Sequence, residues 1–170
     1  METLAKTFII PARQNQFIQK HIFNKTPIRR IAIAMNSNSA FTGSVAENPF
    51  WYQQFDLRDT RILTGGQPIV HHDTTDNCRW YVTTKKAMNL QDDIPSILVD
   101  KFEGHYVLVF DLTSMQDPTE HCHYLELIGE PLSLELYFSS PLENVTEVIV
   151  LGERMSCVAV DKFGVVGKNL

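Results

Sequence analysis

No apolar run in the chain approaches the roughly 20 residues that a membrane-spanning helix needs, so a helical membrane anchor is excluded. The opening residues 1–11 have no apolar core of signal-peptide length, and the expectation is a protein that is not secreted. Cysteine is scarce. Cys78, Cys122 and Cys157 are odd in number and far apart, which argues against a disulfide framework and suits a reducing compartment. Basic residues form no block longer than the pairs Arg29-Arg30 and Lys85-Lys86, and the net charge is −5. That excludes the broad basic footprint of a nucleic-acid binder. Gly65-Gly66 is followed by neither a Lys-Ser/Thr pair nor a helix start, so no phosphate-cradling loop is present.

What is present reads as one all-β domain over residues 1–170. A chain of this length buries roughly 70% of the surface that its unfolded form exposes, enough for a core without disulfides or metal. Leu132, Leu134, Leu136 and Phe138 alternate with Ser133, Glu135, Tyr137 and Ser139, a period of two that puts one face in a core. Tyr106, Leu108, Phe110 and Leu112 form a second apolar row with Val107 and Val109 behind it, so that strand is expected to be covered on both faces. Ile31, Ile33 and Met35 alternate with Arg30, Ala32 and Ala34. Residues 146–153 and 155–161 are rich in β-branched side chains and read as one bent strand or two short ones, with Gly152 as the bulge. Nearly all eight prolines fall between such segments. Residues 73–88 differ. Asp73-Thr74-Thr75-Asp76 is a helix-start composition, and Cys78, Tyr81, Val82 and Met88 follow at near-helical spacing. The expected fold is therefore a single β-sandwich, jelly roll or barrel with one short helix in a connection.

The densest aromatic cluster is Phe50, Trp51, Tyr52 and Phe55, ahead of an apolar strand and the Gly65-Gly66 hairpin turn. Core packing is its favoured role, because each ring brings a large apolar area. A subunit contact comes next, and a stacking platform for sugars or bases last. Candidate chemistry is sparse. His121-Cys122-His123 resembles the metal motif of cupins, since two histidines two apart on a strand face the same way and Glu126 follows. Glu126 falls one or two residues short of that motif's spacing and no matching downstream histidine follows. A polar loop is the favoured reading, and a cupin-like metal-binding β-barrel enzyme using His121, His123 and Glu126 is the alternative. His71-His72-Asp73 reads as a solvated loop, Asp92-Asp93 with Asp100 and Glu103 as a solvated face, and Gly43-Ser44-Val45 does not complete a nucleophile elbow. No catalytic residue, metal or cofactor is expected.

In order along the chain, several blocks resemble the C-terminal half of the major capsid proteins (hexon-like, double jelly-roll) of Maverick/Polinton elements and adintoviruses. They are Pro27-Ile28-Arg29-Arg30-Ile31, Asn38-Ser39-Ala40-Phe41-Thr42-Gly43, Asn48-Pro49-Phe50-Trp51-Tyr52-Gln53-Gln54-Phe55-Asp56-Leu57 and Tyr106-Val107-Leu108-Val109-Phe110-Asp111-Leu112-Thr113. Leu132-Ser133-Leu134-Glu135-Leu136 and the stretch ending in Val158-Ala159-Val160-Asp161 complete the series. The resemblance implies one jelly roll of eight strands in two packed sheets. It also implies a structural, non-enzymatic subunit that self-associates into trimeric capsomers, in a virion or otherwise inside the cell. Members of that family carry two jelly rolls, and Met1 falls near the start of the second. The chain is therefore expected to be a truncated or transposon-derived gene remnant, a partial gene model or a split product used alone, with the first jelly roll missing from it.

Overall fold

The computed structural model describes residues 2–24, 26–73, 77–88, 105–112, 131–154, 157–160 and 166–169. Eight strands build two antiparallel four-stranded sheets. They are β1 (Glu2–Ile10), β2 (Gln16–Gln19), β3 (Arg30–Ser37), β4 (Leu57–Thr64), β5 (Gln67–Asp73), β6 (Val107–Asp111), β7 (Leu132–Phe138) and β8 (Thr146–Arg154). One sheet runs β1-β8-β3-β6 and the other β2-β7-β4-β5. Successive strands thus alternate between sheets except at the β4–β5 hairpin, which is the strand order of a jelly roll. A further pair, β9 (Cys157–Val160) and β10 (Val166–Asn169), forms a separate two-stranded hairpin.

The core follows from the period-two patterning. In β7, Leu132, Leu134, Leu136 and Phe138 are all buried, and their alternating neighbours are half-buried. Their row continues across the register to Thr60 and Ile62 of β4 and Val70 of β5. In the other sheet Ile31, Ile33 and Met35 of β3 line up with Gly152, Val150 and Val148 of β8, and Ile31 and Ile33 also with Phe110 and Leu108 of β6. Each fully buried Leu, Ile or Val in these rows contributes about 1.5–3 kcal/mol relative to exposure. Val109, on the other face of β6, is buried as well, as expected for a strand covered on both sides.

The β4–β5 hairpin turns at Gly65 (φ 54°) and Gly66 (φ 82°), both in the left-handed region that a two-residue hairpin turn requires. One register shift, at Ile69, interrupts this hairpin, and a second, at Arg58, interrupts the pairing of β4 with β7. Pro68 sits in β5, an edge strand, where a missing N–H costs no central ladder bond.

Two helices lie in the connections, one more than expected. α1 (Asn38–Thr42) is capped by Ser37, whose hydroxyl accepts from the Ala40 amide at 3.2 Å, and ends at Gly43 with φ 102°. α2 (Asn77–Ala87) lies within the segment expected to be helical. Its Trp80, Thr84 and Ala87 are buried at i, i+4, i+7 spacing, and the Trp80 ring stacks on Tyr106 with centroids 4.6 Å apart. α2 thereby closes the side of the sandwich where β5 and β6 are both edge strands. On the opposite side, Phe8 of β1 meets Phe17 of β2 at 6.1 Å.

The expectation that Gly152 marks a bulge is overturned. The register runs unbroken through it, opposite Leu4 on one side and Ile31 on the other. The glycine is there because the Phe23 ring lies against it: a Cβ would sit 2.8 Å from two ring carbons of Phe23 and 3.0 Å from Ile28 Cδ1. The segments around it are two separate strands, β8 and β9, rather than one bent strand. At an open strand position, alanine would be favoured over glycine by roughly 0.5–1 kcal/mol. Gly152→Ala is instead expected to lower the unfolding free energy by about 1–3 kcal/mol in urea titration, through overpacking against a buried ring. Phe23→Leu in the same chain should restore part of that loss, and a neutral or stabilising Gly152→Ala would contradict the packing described.

Candidate interaction surface

Antiparallel alternation brings the ends of β1, β3, β5 and β7 to one end of the sandwich, so the connections that follow them emerge together. Hydrogen bonds between chain-distant groups tie these connections. The Arg13 amide donates to Leu142 O at 2.7 Å, the Leu142 amide to Gln14 O at 2.9 Å, and the Asn38 amide to Val145 O at 3.0 Å. The Ser139 amide donates to Asp56 O at 2.9 Å and the Tyr106 amide to Tyr52 O at 3.1 Å.

Among the connections described in full, that over residues 38–56 is the longest at this end. Asn36 Nδ2 donates to Pro49 O at 2.6 Å and the Gln53 amide to Met35 O at 3.0 Å, anchoring its returning arm to β3. Asn48 forms a local turn, its side-chain oxygen accepting from the Phe50 amide at 3.0 Å and its carbonyl from the Trp51 amide at 3.1 Å. Glu47 accepts from the Ser37 and Ser39 hydroxyls at 2.6 and 2.7 Å, and these bonds hold its carboxyl below the usual carboxylate range.

On this ordered backbone the aromatic cluster does not enter the core, contrary to expectation. Phe50 is 70% exposed and Trp51 45%, Tyr52 is half-buried, and Phe55 alone packs against the core. The physical cause is the backbone path. The Asn48 turn carries residues 50 and 51 outwards, and Phe55 and Asp56 (φ 52° and 53°) bring the chain back into β4. Bulky residues adopt that left-handed conformation only at a cost, so the surrounding bonds fix it. Phe41, Val45, Val145 and Ile9 are exposed at the same end of the sandwich.

The histidine pair is also placed differently from expectation. His71 and His72 lie in β5, not in a loop, and alternation sends them to opposite faces. His71 Nε2 lies 3.0 Å from Asp59 Oδ1, and Asp59 also holds Arg61 at 2.8 Å. Arg61 in turn lies over the Tyr137 ring at 5.0 Å, and the Tyr137 hydroxyl donates to Glu135 at 2.9 Å. The outer face of this sheet is therefore a polar network. His72 points inwards, buried, with its ring edge-on to Phe110 at 5.8 Å. Its Nε2 has no hydrogen-bond partner among the described residues. It lines a cavity of about 250 Å³ together with Val70, Thr83, Lys86, Phe110 and Asp111.

No group of three or more potential metal ligands occurs among the described residues. His121, Cys122, His123 and Glu126 lie outside the described residues, as do Asp92, Asp93, Asp100 and Glu103. Ser44 lies in the exposed loop after α1, its amide donating to Ser39 O at 3.0 Å. No helix among the described residues is long and apolar enough to cross a membrane.

Burial lowers the pKa of His72 below the ordinary imidazole value, helped by the nearby Arg79 and His71 and opposed by Asp73 and Asp59. The folded chain therefore binds fewer protons at His72 than the unfolded chain. This contribution is intact above the unfolded pKa of about 6.5 and is lost as pH falls through it towards the lower folded value. Urea midpoints measured between about pH 7.5 and pH 5 should decline on acidification, and His72→Gln should flatten the slope. An unchanged slope in the variant would place the titrating group elsewhere.

A scan against protein-family models and a search of curated proteins each return no match to this chain, so the strand order, and not descent, identifies its architecture.

Proposed function

We propose that the chain is a structural shell subunit, a capsid (hexon-like) jelly roll or a truncated, transposon-derived remnant of one, without catalysis. The observation that carries this reading is the loop end, where Phe41, Val45, Phe50 and Trp51 are exposed on a backbone fixed by hydrogen bonds. Exposed rings on such a backbone supply binding area at low entropy cost when copies meet. The block resemblance to double jelly-roll capsid proteins supports the same reading and names the partners: further copies in trimeric capsomers, and a first jelly roll outside this chain.

The reading is tested by sedimentation and negative-stain imaging of the purified chain over a range of concentrations. Discrete trimers or ordered arrays are expected. Phe50→Ser with Trp51→Ser should weaken association by about tenfold or more, the effect of removing a central interface anchor. The unfolding free energy should stay within about 0.5 kcal/mol, because neither ring is buried in the monomer. A chain that stays monomeric at every concentration contradicts the proposal.

A further inference from the structure

The cavity of about 250 Å³ that His72 enters is bounded by β5 and β6, the edge strands of the two sheets, and by α2. Strand neighbours that point to opposite faces, His71 with His72 and Phe110 with Asp111, all line it, which places it at the sheet edges. Thr83, Lys86 and Ala87 reach it from one face of α2, at i, i+3, i+4 spacing.

Its polarity is ordered from inside to outside. His72 and Asp111 are 6% and 7% exposed and form the inner end. Lys86 is exposed and stands at the mouth. Its neighbour Lys85 is committed elsewhere, over the Tyr81 ring at 5.9 Å, and the Thr83 hydroxyl donates to Arg79 O at 2.9 Å. Buried Phe110 and half-buried Ile69 and Val70 supply an apolar wall. A few placed polar groups on an otherwise apolar lining are the anatomy of a small-molecule site.

The inner end is set to accept. His72 Nε2 has no hydrogen-bond partner among the described residues, and a buried nitrogen left so is costly. Burial keeps the ring neutral near pH 7, and a neutral imidazole accepts at one nitrogen. Asp111 adds a carboxylate beside it. Water satisfies such a nitrogen but gains nothing from the apolar wall or from the opposite charges at the two ends.

We propose that this cavity binds a compact zwitterion, a free α-amino acid with an apolar side chain. Its ammonium group sits at His72 Nε2 and Asp111, its carboxylate at Lys86, and its side chain against Ile69, Val70 and Phe110. The inference does not rest on the shell-subunit reading.

The test titrates the isotope-labelled full-length chain with three probes and follows the ring nitrogens of His72 by NMR. The probes are leucine, isoamylamine (leucine without its carboxylate) and isocaproate (leucine without its ammonium). Leucine should shift these signals with a Kd of about 1 mM or tighter, and each truncated probe should bind about tenfold more weakly. Lys86→Met, at an exposed helix position, should weaken leucine and isocaproate about tenfold and leave isoamylamine unchanged. Asp111→Asn should weaken leucine and isoamylamine and spare isocaproate. His72 signals unmoved by leucine up to its solubility limit would show a cavity filled by water only and overturn the proposal. Isocaproate binding as tightly as leucine, or a Lys86→Met chain binding leucine like wild type, overturns it too. None of these results bears on assembly, which sedimentation reads separately.

Discussion

Everything in this molecule depends on two apolar rows facing each other across the sandwich. Ile31, Ile33 and Met35 with Val148 and Val150 form one, and Leu132, Leu134, Leu136 and Ile62 the other. Each row is single-sided because a strand exposes alternate residues to opposite faces. A one-residue slip in any central strand would turn its whole apolar set to solvent, so burial fixes the register. The register then fixes which connections emerge at which end.

The two open sides of the sandwich are handled differently. Between β1 and β2 a single ring pair, Phe8 and Phe17, bridges the sheets. Between β5 and β6 a helix fills the gap. α2 inserts Trp80 against Tyr106, while His72 reaches in beside Phe110. That seam combines Trp80, the largest fully buried side chain among the described residues, with a buried histidine whose pKa burial lowers, so its folding is coupled to pH. The loop end, by contrast, is held by backbone hydrogen bonds among four connections, which lets its apolar side chains point outwards without disturbing the core.

Much of the fold was legible in the sequence because period-two patterning is a local signal. β7, β6 and β3 are read from their alternation, and the β4–β5 turn from Gly65-Gly66. What was not legible depends on partners distant in the chain. Gly152 looks like a bulge until Phe23 is seen lying on it. His71 and His72 look like loop residues because Pro68 and the bulge at Ile69 hide the strand that carries them. The exposure of Phe50 and Trp51 is set by bonds from Asn36, Met35 and Asn48, and hydrophobicity alone suggests the opposite. Sequence did single out this aromatic run, with a subunit contact ranked behind the core. The geometry takes Phe50 and Trp51 out of the core and leaves Phe55 packed against it.

The central claim is that the loop end of a closed jelly roll is where copies meet. Hydroxyl-radical footprinting of the unmodified chain tests it most directly, because its two tryptophans serve as probe and control. Trp80 is 1% exposed and Trp51 45%. In dilute solution Trp51 and Phe50 should be oxidised readily and Trp80 hardly at all. As concentration rises, oxidation of Trp51 and Phe50 should fall while Trp80 stays low. Oxidation of Trp51 that is independent of concentration in an assembled sample would contradict the account.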